Sequence, residues 1–179
     1  MPVAATEKVW TLDELHALPD DGNKYEVVRG ALFVTPAPSY GHETIASRLS
    51  EKLTPYVYAH RLGRVFHPRA VVRFAGSEAE PDLMVRPEIP GGAEWETAAP
   101  PLLVLEVTSP STRRADYTEK RQYYLDAGVA EYWIVDQDTR AVTVVRPGGP
   151  DAVVLDQLIW EPADASEPLD VSVAWLFSG

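Results

Sequence analysis

The most constraining feature of the chain is an apolar run at residues 102–107, Leu-Leu-Val-Leu-Glu-Val, in which only Glu106 is charged. Such a run is typical of a strand that is buried on both faces in the middle of a sheet. A similar run follows at residues 131–136, and the segment 114–127 between the two is predicted to be a helix. The unit 102–136 is therefore expected to form a right-handed crossover between parallel strands.

The other segments alternate between helix and strand patterns. Thr11 and Glu14 have the spacing of a capping box, which predicts a short helix over residues 12–18. A second helix is predicted over residues 42–60 from an apolar stripe at four-residue spacing. The stripe consists of Ile45, Leu49, Leu53 and Val57. Strands are predicted at residues 25–29, 31–35, 64–74, 81–86 and 141–146, with two further short strands and a terminal segment at 171–177. This order predicts an α/β (α+β) fold, with a mixed sheet flanked by helices.

The composition limits the class of protein. The chain of 179 residues contains no cysteine, which excludes disulfides, zinc–thiolate sites and thiol nucleophiles. The N-terminal residues 1–18 have neither a basic start nor a continuous apolar run, so no signal peptide is predicted. No apolar stretch approaches the roughly 20 residues of a membrane span. We therefore expect a cytoplasmic protein that does not enter the membrane.

The net charge of −11 is unusual for a protein that binds nucleic acid, because phosphates are neutralised mainly by lysine and arginine. The charge is unevenly distributed, however. Residues 41–125 contain eleven basic and eleven acidic residues, so the acidic excess lies at the two ends of the chain. The charge alone therefore neither excludes nor demonstrates a nucleic-acid substrate.

Two carboxylates indicate a metal site. Glu106 ends an apolar strand, where an unpaired carboxylate would be costly. Asp82 lies in the predicted strand Pro-Asp-Leu-Met-Val and is expected to face Glu106. These side chains, with the Val107 carbonyl and water, would suit Mg²⁺ or Mn²⁺, which can polarise a phosphodiester and activate a water molecule. Lys120, on the helix predicted at 114–127, is expected to point toward the sheet and to hold that water or neutralise the scissile phosphate.

Each of these residues also has a structural alternative. Asp82 would suit a turn or a cap, Glu106 could pair with an arginine, and Lys120 could extend into solvent. Their combination on these elements favours the metal site. Asp136 ends a buried strand before a turn and is expected to have a structural role. The sequence contains no Gly-rich phosphate loop, G-x-S-x-G motif or H-E-x-x-H motif, and no organic cofactor is predicted.

A longer motif resembles a known family. Residues 106–120 read Glu-Val-Thr-Ser-Pro-Ser-Thr-Arg-Arg-Ala-Asp-Tyr-Thr-Glu-Lys, followed by Tyr124, Ala-Gly-Val and the run at 131–136. This block, with Tyr-Glu-Val-Val-Arg-Gly at 25–30, the stretch 36–42 and the Pro-Asp pair at 81–82, resembles the Uma-two family of restriction endonucleases. That family belongs to the PD-(D/E)XK nuclease superfamily. The resemblance covers nearly the whole chain.

The resemblance implies a restriction-endonuclease-like fold in a single domain over residues 1–179. In this interpretation, the N-terminal helix and hairpin at about residues 10–35 are an addition specific to the family. The resemblance also implies that Asp82 and Glu106 are metal ligands.

The resemblance bears on four further positions. Glu26 matches an acidic position of the family, where it is a candidate ligand or orienting group. His42 matches a position at the start of the long helix, where it is either close to the site or structural. The superfamily motif expects a lysine two residues after the acid, but this chain has Thr108 there. In the family the lysine has moved to the following helix, at the position of Lys120.

The function predicted from these observations is that of a Mg²⁺- or Mn²⁺-dependent endonuclease that hydrolyses DNA phosphodiester bonds. Two alternatives stay open. One is an inactive module with a nuclease fold that binds nucleic acid or a protein partner, and the other is a hydrolase of another phosphoester. By analogy with restriction enzymes, which often act as dimers, a homodimer is one expected assembly.

Overall fold

The structure is a computed structural model that describes residues 8–88, 91 and 94–178. The absence of a signal peptide was predicted partly from residues 1–7, which lie outside the described residues. Residues 89, 90, 92 and 93, in the segment between β6 (Leu83–Arg86) and β7 (Leu103–Thr108), also lie outside the described residues. The predicted α/β (α+β) class is confirmed, because the described residues form mixed sheets with helices packed against them.

The largest sheet has six strands and is built around β7. Its order is β10-β9-β8-β7-β6-β3. The strands besides β6 and β7 are β3 (Arg64–Phe66), β8 (Tyr132–Asp136), β9 (Ala141–Val145) and β10 (Ala152–Val154). β7 and β8 are parallel, as predicted, and the other neighbours are antiparallel. All six residues of β7 are buried, which confirms the prediction of a central strand.

Two smaller sheets complete the β structure. The four-stranded sheet has the order β2-β1-β5-β4 and the two-stranded sheet pairs β11 with β12. Their strands are β1 (Lys24–Val28), β2 (Ala31–Thr35), β4 (Val72–Phe74), β5 (Ser77–Ala79), β11 (Gln157–Trp160) and β12 (Leu169–Ser172). β1 and β2 form the predicted hairpin, with positive φ angles at Arg29 (52°) and Gly30 (80°) in its turn. Paired positive φ angles are the geometry that suits a tight two-residue hairpin turn.

The helices agree with the predicted pattern at the N-terminal half of the chain. They are α1 (Leu12–His16), α2 (Tyr40–Ala59), α3 (Arg113–Tyr117), α4 (Glu119–Asp126) and α5 (Val173–Leu176). The capping box at α1 is confirmed, since the Glu14 N–H donates to Thr11 Oγ1 and the Thr11 N–H donates to Glu14 Oε2. Within the part of the chain that the structure describes, no helix has the length and apolar character needed to cross a membrane.

The two faces of the six-stranded sheet are covered by different elements. On one face, the apolar stripe of α2 packs in a core with Leu105 and Trp133. On the other face, Val104 packs with Val28 from the four-stranded sheet and with Tyr124 from α4. Side chains alternate along a strand, so Glu106 shares the face of Val104. The carboxylate of Glu106 is thereby directed into the layer that contains β1 and α4.

The single strand predicted over residues 64–74 is wrong. The chain forms β3 in the six-stranded sheet and β4 in the four-stranded sheet, with a turn between them in which the Ala70 N–H donates to the His67 carbonyl. Pro68 has no N–H for a sheet, and Arg69 adopts a left-handed conformation with φ of 67°. The turn transfers the chain from one sheet to the other.

The single helix predicted over residues 114–127 is also wrong. It is divided into α3 and α4 at Thr118, whose φ of −121° and ψ of −84° are not helical. The Thr118 hydroxyl donates to the Arg114 carbonyl at 2.7 Å, a competing hydrogen bond of the kind that distorts helices at threonine. The predicted terminal segment 171–177 is likewise divided, between β12 and α5.

A glycine substitution tests the close approach of the α2–β3 connection to the end of β6. A Cβ atom at Gly63 (φ +125°) would lie 2.1 Å from the Arg86 carbonyl oxygen, whereas one at Gly148 (φ +75°) would meet nothing within 4 Å. We expect Gly63→Ala to lower the free energy of unfolding by about 3 kcal/mol or more, against about 1 kcal/mol for Gly148→Ala. Urea unfolding of both variants measures the difference. Equal losses would show that the backbone at Gly63 moves away without cost.

Candidate functional site

An open cleft of about 800 Å³ lies at the end of β7 that carries Glu106. Its walls are formed by three connections, at residues 35–39, 67–69 and 108–112. Its lining includes the charged side chains of Lys24, Asp82, Glu106 and Lys120. Residues from β1, the start of β6, β7 and α4 therefore meet at one place, where the four-stranded sheet approaches the six-stranded sheet.

Asp82 is held from two sides immediately before β6. Its Oδ2 accepts the Val107 N–H at 2.8 Å and lies 3.0 Å from His42 Nε2. His42 belongs to the first turn of α2, where Ser39 Oγ accepts its backbone N–H. Burial alone would raise the pKa of Asp82, but the hydrogen bond from His42 and the charge of Lys24 outweigh it and lower the pKa to about 2. Asp82 is therefore ionised at neutral pH.

Glu106 is more deeply buried, with 2% of its surface exposed. Its Oε1 accepts hydrogen bonds from Lys120 Nζ at 2.9 Å and from the Tyr124 hydroxyl at 2.7 Å. Burial raises the pKa of Glu106 to about 7, because the attraction of Lys120 and Lys24 only partly offsets the loss of hydration. A further positive charge placed beside Glu106 would therefore stabilise its ionised form.

Lys120 lies among three carboxyl groups. Its Nζ is 2.8 Å from Glu26 Oε2, 2.9 Å from Glu106 Oε1 and 3.8 Å from Asp116 Oδ1. Burial would lower the pKa of Lys120, but these carboxylates hold it well above its ordinary value. Glu26 is anchored in turn, because its Oε1 accepts the Glu80 N–H at 2.9 Å. Lys120 is therefore a permanently charged counter-ion for its neighbours.

Lys24 contributes the second ammonium group of the cluster. It lies on β1, and its Nζ donates to the Glu80 carbonyl at 3.0 Å. The same atom is 3.6 Å from Asp82 Oδ1 and 3.8 Å from Glu106 Oε2. Those two oxygens are the ones that His42, Val107, Lys120 and Tyr124 do not contact.

The structure brings five predicted site residues into one cluster. They are Glu26, His42, Asp82, Glu106 and Lys120. Val107 borders the cleft and contacts Asp82 through its N–H. Thr108, at the position where the superfamily motif has lysine, lines the cleft and accepts a hydrogen bond from Gln137 on its carbonyl. These placements do not test the predicted catalytic and metal-binding roles, which stay predictions.

Three residues of the cluster were not singled out from the sequence as site residues. Lys24 precedes Glu26 by two positions in a strand, a spacing that places both side chains on one face. Asp116 and Tyr124 lie four residues before and after Lys120, a spacing that can bring side chains together on a helix. These spacings were the available signals, but each is common in ordinary strands and helices.

Asp136 has a different environment. Its Oδ1 accepts the N–H groups of Asp138 and Thr139, and its Oδ2 contacts Arg113 and Tyr117. The carboxylate is completely buried and closes the turn after β8. This agrees with the structural role expected for it.

The charge of the cluster fits a divalent cation. Among the described residues, four carboxyl groups face two ammonium groups, so the fully ionised cluster would carry a charge of −2 with neutral His42. No group of three His, Cys, Asp or Glu side chains is arranged around a common metal position in the described residues. The available donors are Asp82 Oδ1 and Glu106 Oε2, and Mg²⁺ commonly binds through one or two carboxylates and several waters.

Comparison with known proteins identifies the family. The sequence profile of the Uma2 family, described as "Putative restriction endonuclease", matches residues 12–175. The chain belongs to the Uma2 family. The structure is similar to the crystal structure of a "putative nuclease belonging to DUF820" from Anabaena variabilis ATCC 29413. The two chains are 27% identical, with a TM-score of 0.78, over 94% of this chain and 97% of that one. No curated protein matches this Uma2 chain.

The raised pKa of Glu106 predicts how stability depends on pH. A carboxyl whose pKa is raised from 4.5 to about 7 on folding destabilises the folded protein once it ionises, so the penalty grows as the pH rises from 4.5 to above 7. In metal-free buffer, Glu106→Gln should therefore increase the free energy of unfolding at pH 8 by about 1–3 kcal/mol. Chemical unfolding at pH 5 and pH 8 measures the change.

The increase in the free energy of unfolding caused by Glu106→Gln should shrink as the pH falls from 8 toward 5, because the wild-type carboxyl then becomes protonated. The matched control is Glu167→Gln, which makes the same change at an exposed position. An equal increase in the free energy of unfolding at both pH values would contradict ionisation of the buried Glu106 carboxyl as the cause.

Proposed function

We propose that the protein is an endonuclease that hydrolyses DNA phosphodiester bonds with the help of Mg²⁺ or Mn²⁺ at Asp82 and Glu106. The observation that carries the proposal is the pairing of Asp82 Oδ1 and Glu106 Oε2 across one ammonium group at the cleft. The second oxygen of each carboxylate is already fixed by protein donors. The side chains are thus preorganised, with one oxygen each directed toward a cation.

The proposed roles follow from the contacts. A bound divalent ion supplies polarisation of the phosphodiester and a lowered pKa for the attacking water. Asp82 and Glu106 hold the ion, and the Val107 backbone carbonyl is the third proposed ligand. His42 orients Asp82 through the contact at 3.0 Å. The side chains of Asp82, Glu106 and His42 each have a protein partner before substrate arrives, which limits the reorganisation needed for catalysis.

Lys120 has a positioning role in this proposal. With only 3% of its side chain exposed and Glu26 and Glu106 within 2.9 Å, its N–H donors are directed at carboxylates. It holds the inner oxygen of Glu106 so that the outer oxygen faces the cleft. This differs from the expectation that Lys120 would itself hold the attacking water. Lys120 makes this contact with Glu106 from α4, whereas position 108 is a threonine.

The comparisons support nuclease chemistry in general terms. The family is described as "Putative restriction endonuclease", and the similar crystal structure is described as that of a "putative nuclease". The similarity extends over 94% of this chain and 97% of the other. DNA as the substrate is part of the present proposal.

A second candidate function is hydrolysis of a small phosphoester. The size of the cleft and the charges that line it favour this candidate. The cleft has a volume of about 800 Å³, which falls within the range of about 300–1,000 Å³ that is usual for small-molecule sites. Its described lining contains five acidic and three basic residues, and Lys120 is one of the basic three. Long duplexes are normally bound by many more cations than this.

Removal of either carboxylate tests the proposed chemistry. Asp82→Asn and Glu106→Gln should each lower the Mg²⁺-dependent rate of DNA cleavage by about 100-fold or more, because a ligand of the ion is lost. The assay follows cleavage of labelled single- and double-stranded DNA, with a chelator as the metal-free control. Asp164→Asn, at an exposed position, should leave the rate unchanged. Full activity in either site variant would refute the assignment.

The salt dependence of DNA binding distinguishes the two candidate functions. If substrate contacts only the accessible basic residues of the cleft, Lys24 and Arg69, the plot of log affinity against log salt should have a slope of about −2 or shallower. Fluorescence anisotropy with catalytically inactive Glu106→Gln and Ca²⁺ measures this slope. A slope of about −6 would indicate extensive contacts with a duplex outside the cleft. Absence of binding to any DNA would favour the small-phosphoester candidate.

A further inference from the structure

The two lysines of the cluster differ in how firmly they are held. Lys120 has 3% of its side chain exposed and lies within 2.9 Å of two carboxylates. Lys24 has 18% exposed, borders the cleft, and has a backbone carbonyl as its nearest acceptor, at 3.0 Å. An ammonium group has three donors, and the Glu80 carbonyl uses only one of them. Lys24 is thus the ammonium group that can leave its position while the rest of the cluster stays in place.

Lys24 faces the oxygens that a metal ion would use. Asp82 Oδ2 is occupied by the Val107 N–H and His42, and Glu106 Oε1 by Lys120 and the Tyr124 hydroxyl. Only Asp82 Oδ1 and Glu106 Oε2 are left to face the cleft, and the Lys24 ammonium lies 3.6 and 3.8 Å from them. A second cation bound between these oxygens would meet the charge of Lys24 at close range.

We propose that Lys24 is an internal competitor of the divalent cation and keeps the metal affinity of the substrate-free protein low. The inference rests on the proposed function, because it requires a divalent ion at Asp82 and Glu106. The attraction between Lys24 and the two carboxylates stabilises the metal-free site, and it must be given up, or opposed by repulsion, when another cation enters. The metal affinity therefore depends on how much more strongly the two carboxylates attract the divalent cation than the Lys24 ammonium group.

The position of Lys24 also gives the displaced ammonium group a new partner. Its side chain borders the cleft in which a phosphodiester would lie. A phosphate there offers Lys24 an anion in exchange for Asp82 and Glu106, so substrate and metal should favour each other's binding. Lys120 cannot take this part, because its ammonium group is held within 2.9 Å of Glu26 and Glu106 and only 3% of its side chain is exposed.

Titration of Mn²⁺ into the full-length protein without substrate tests the inference. Lys24→Met should bind Mn²⁺ about tenfold more tightly than the wild type, or more, because removing one positive charge strengthens the attraction of two carboxylates for another. Lys24→Arg keeps the charge and should resemble the wild type. The matched control Lys52→Met removes an exposed lysine that lines no part of the cleft, and it should leave the affinity unchanged.

The outcomes separate this inference from the proposed function. Equal or weaker binding by Lys24→Met overturns the inference alone, provided that the wild type binds Mn²⁺. No binding by either protein overturns both the inference and the metal dependence. Tighter binding without DNA cleavage in any variant supports the competition and contradicts the nuclease function.

A measurement on the wild type covers the case in which Lys24→Met fails to fold. Acetylation by a water-soluble reagent, followed by mass spectrometry, reports how accessible each lysine is. Saturating Mn²⁺ should accelerate the modification of Lys24 severalfold, because the ammonium group is displaced toward the cleft, while exposed Lys52 serves as the internal reference. Unchanged labelling of Lys24 at saturating Mn²⁺ would overturn the inference.

Discussion

The constraint that shapes the structure is the burial of carboxyl and ammonium groups together at the junction of the two larger sheets. Each of these groups would be costly to bury alone, and only their mutual proximity makes the burial tolerable. Glu26 comes from β1, Glu106 from β7 and Lys120 from α4, and Asp82 immediately precedes β6. The same contacts that satisfy the charges thereby fix the four-stranded sheet and α4 against the six-stranded sheet.

Much of the fold could be predicted because the two apolar runs, at β7 and β8, leave few alternatives. A strand buried on both faces must lie within a sheet, and the connection through α3 and α4 allows the parallel pairing. The division at Pro68 had one signal in the sequence, the proline itself, which cannot donate a hydrogen bond to a sheet. The change of sheet that follows it could not be predicted. It depends on Arg69 adopting a left-handed conformation that non-glycine residues rarely adopt. The division at Thr118 depends on a competing side-chain hydrogen bond, which sequence patterns do not reveal.

The location of the candidate site could be predicted to a similar extent. Glu106 was identifiable because a charge interrupts an apolar strand, and Asp82 because it lies at the beginning of the short strand predicted at residues 81–86. Lys24 has no such context, since a lysine near the start of a hairpin is usually exposed. Only the packing of β1 against the end of β7 gives Lys24 its importance, and that packing is a tertiary feature. The sequence therefore revealed the acids of the cluster more readily than the bases that balance them.

The order in which the site residues occur along the chain has a consequence for synthesis on the ribosome. Lys24, Glu26 and Asp82 emerge first, while Glu106 and Lys120 follow much later, and β7 gains its neighbour β8 only at Tyr132–Asp136. Translation proceeds at roughly 5–20 residues per second, so the early residues wait for several seconds without their partners. A nascent chain cannot assemble the charge cluster during that time. The charge cluster can thus form only in chains that extend at least through β8.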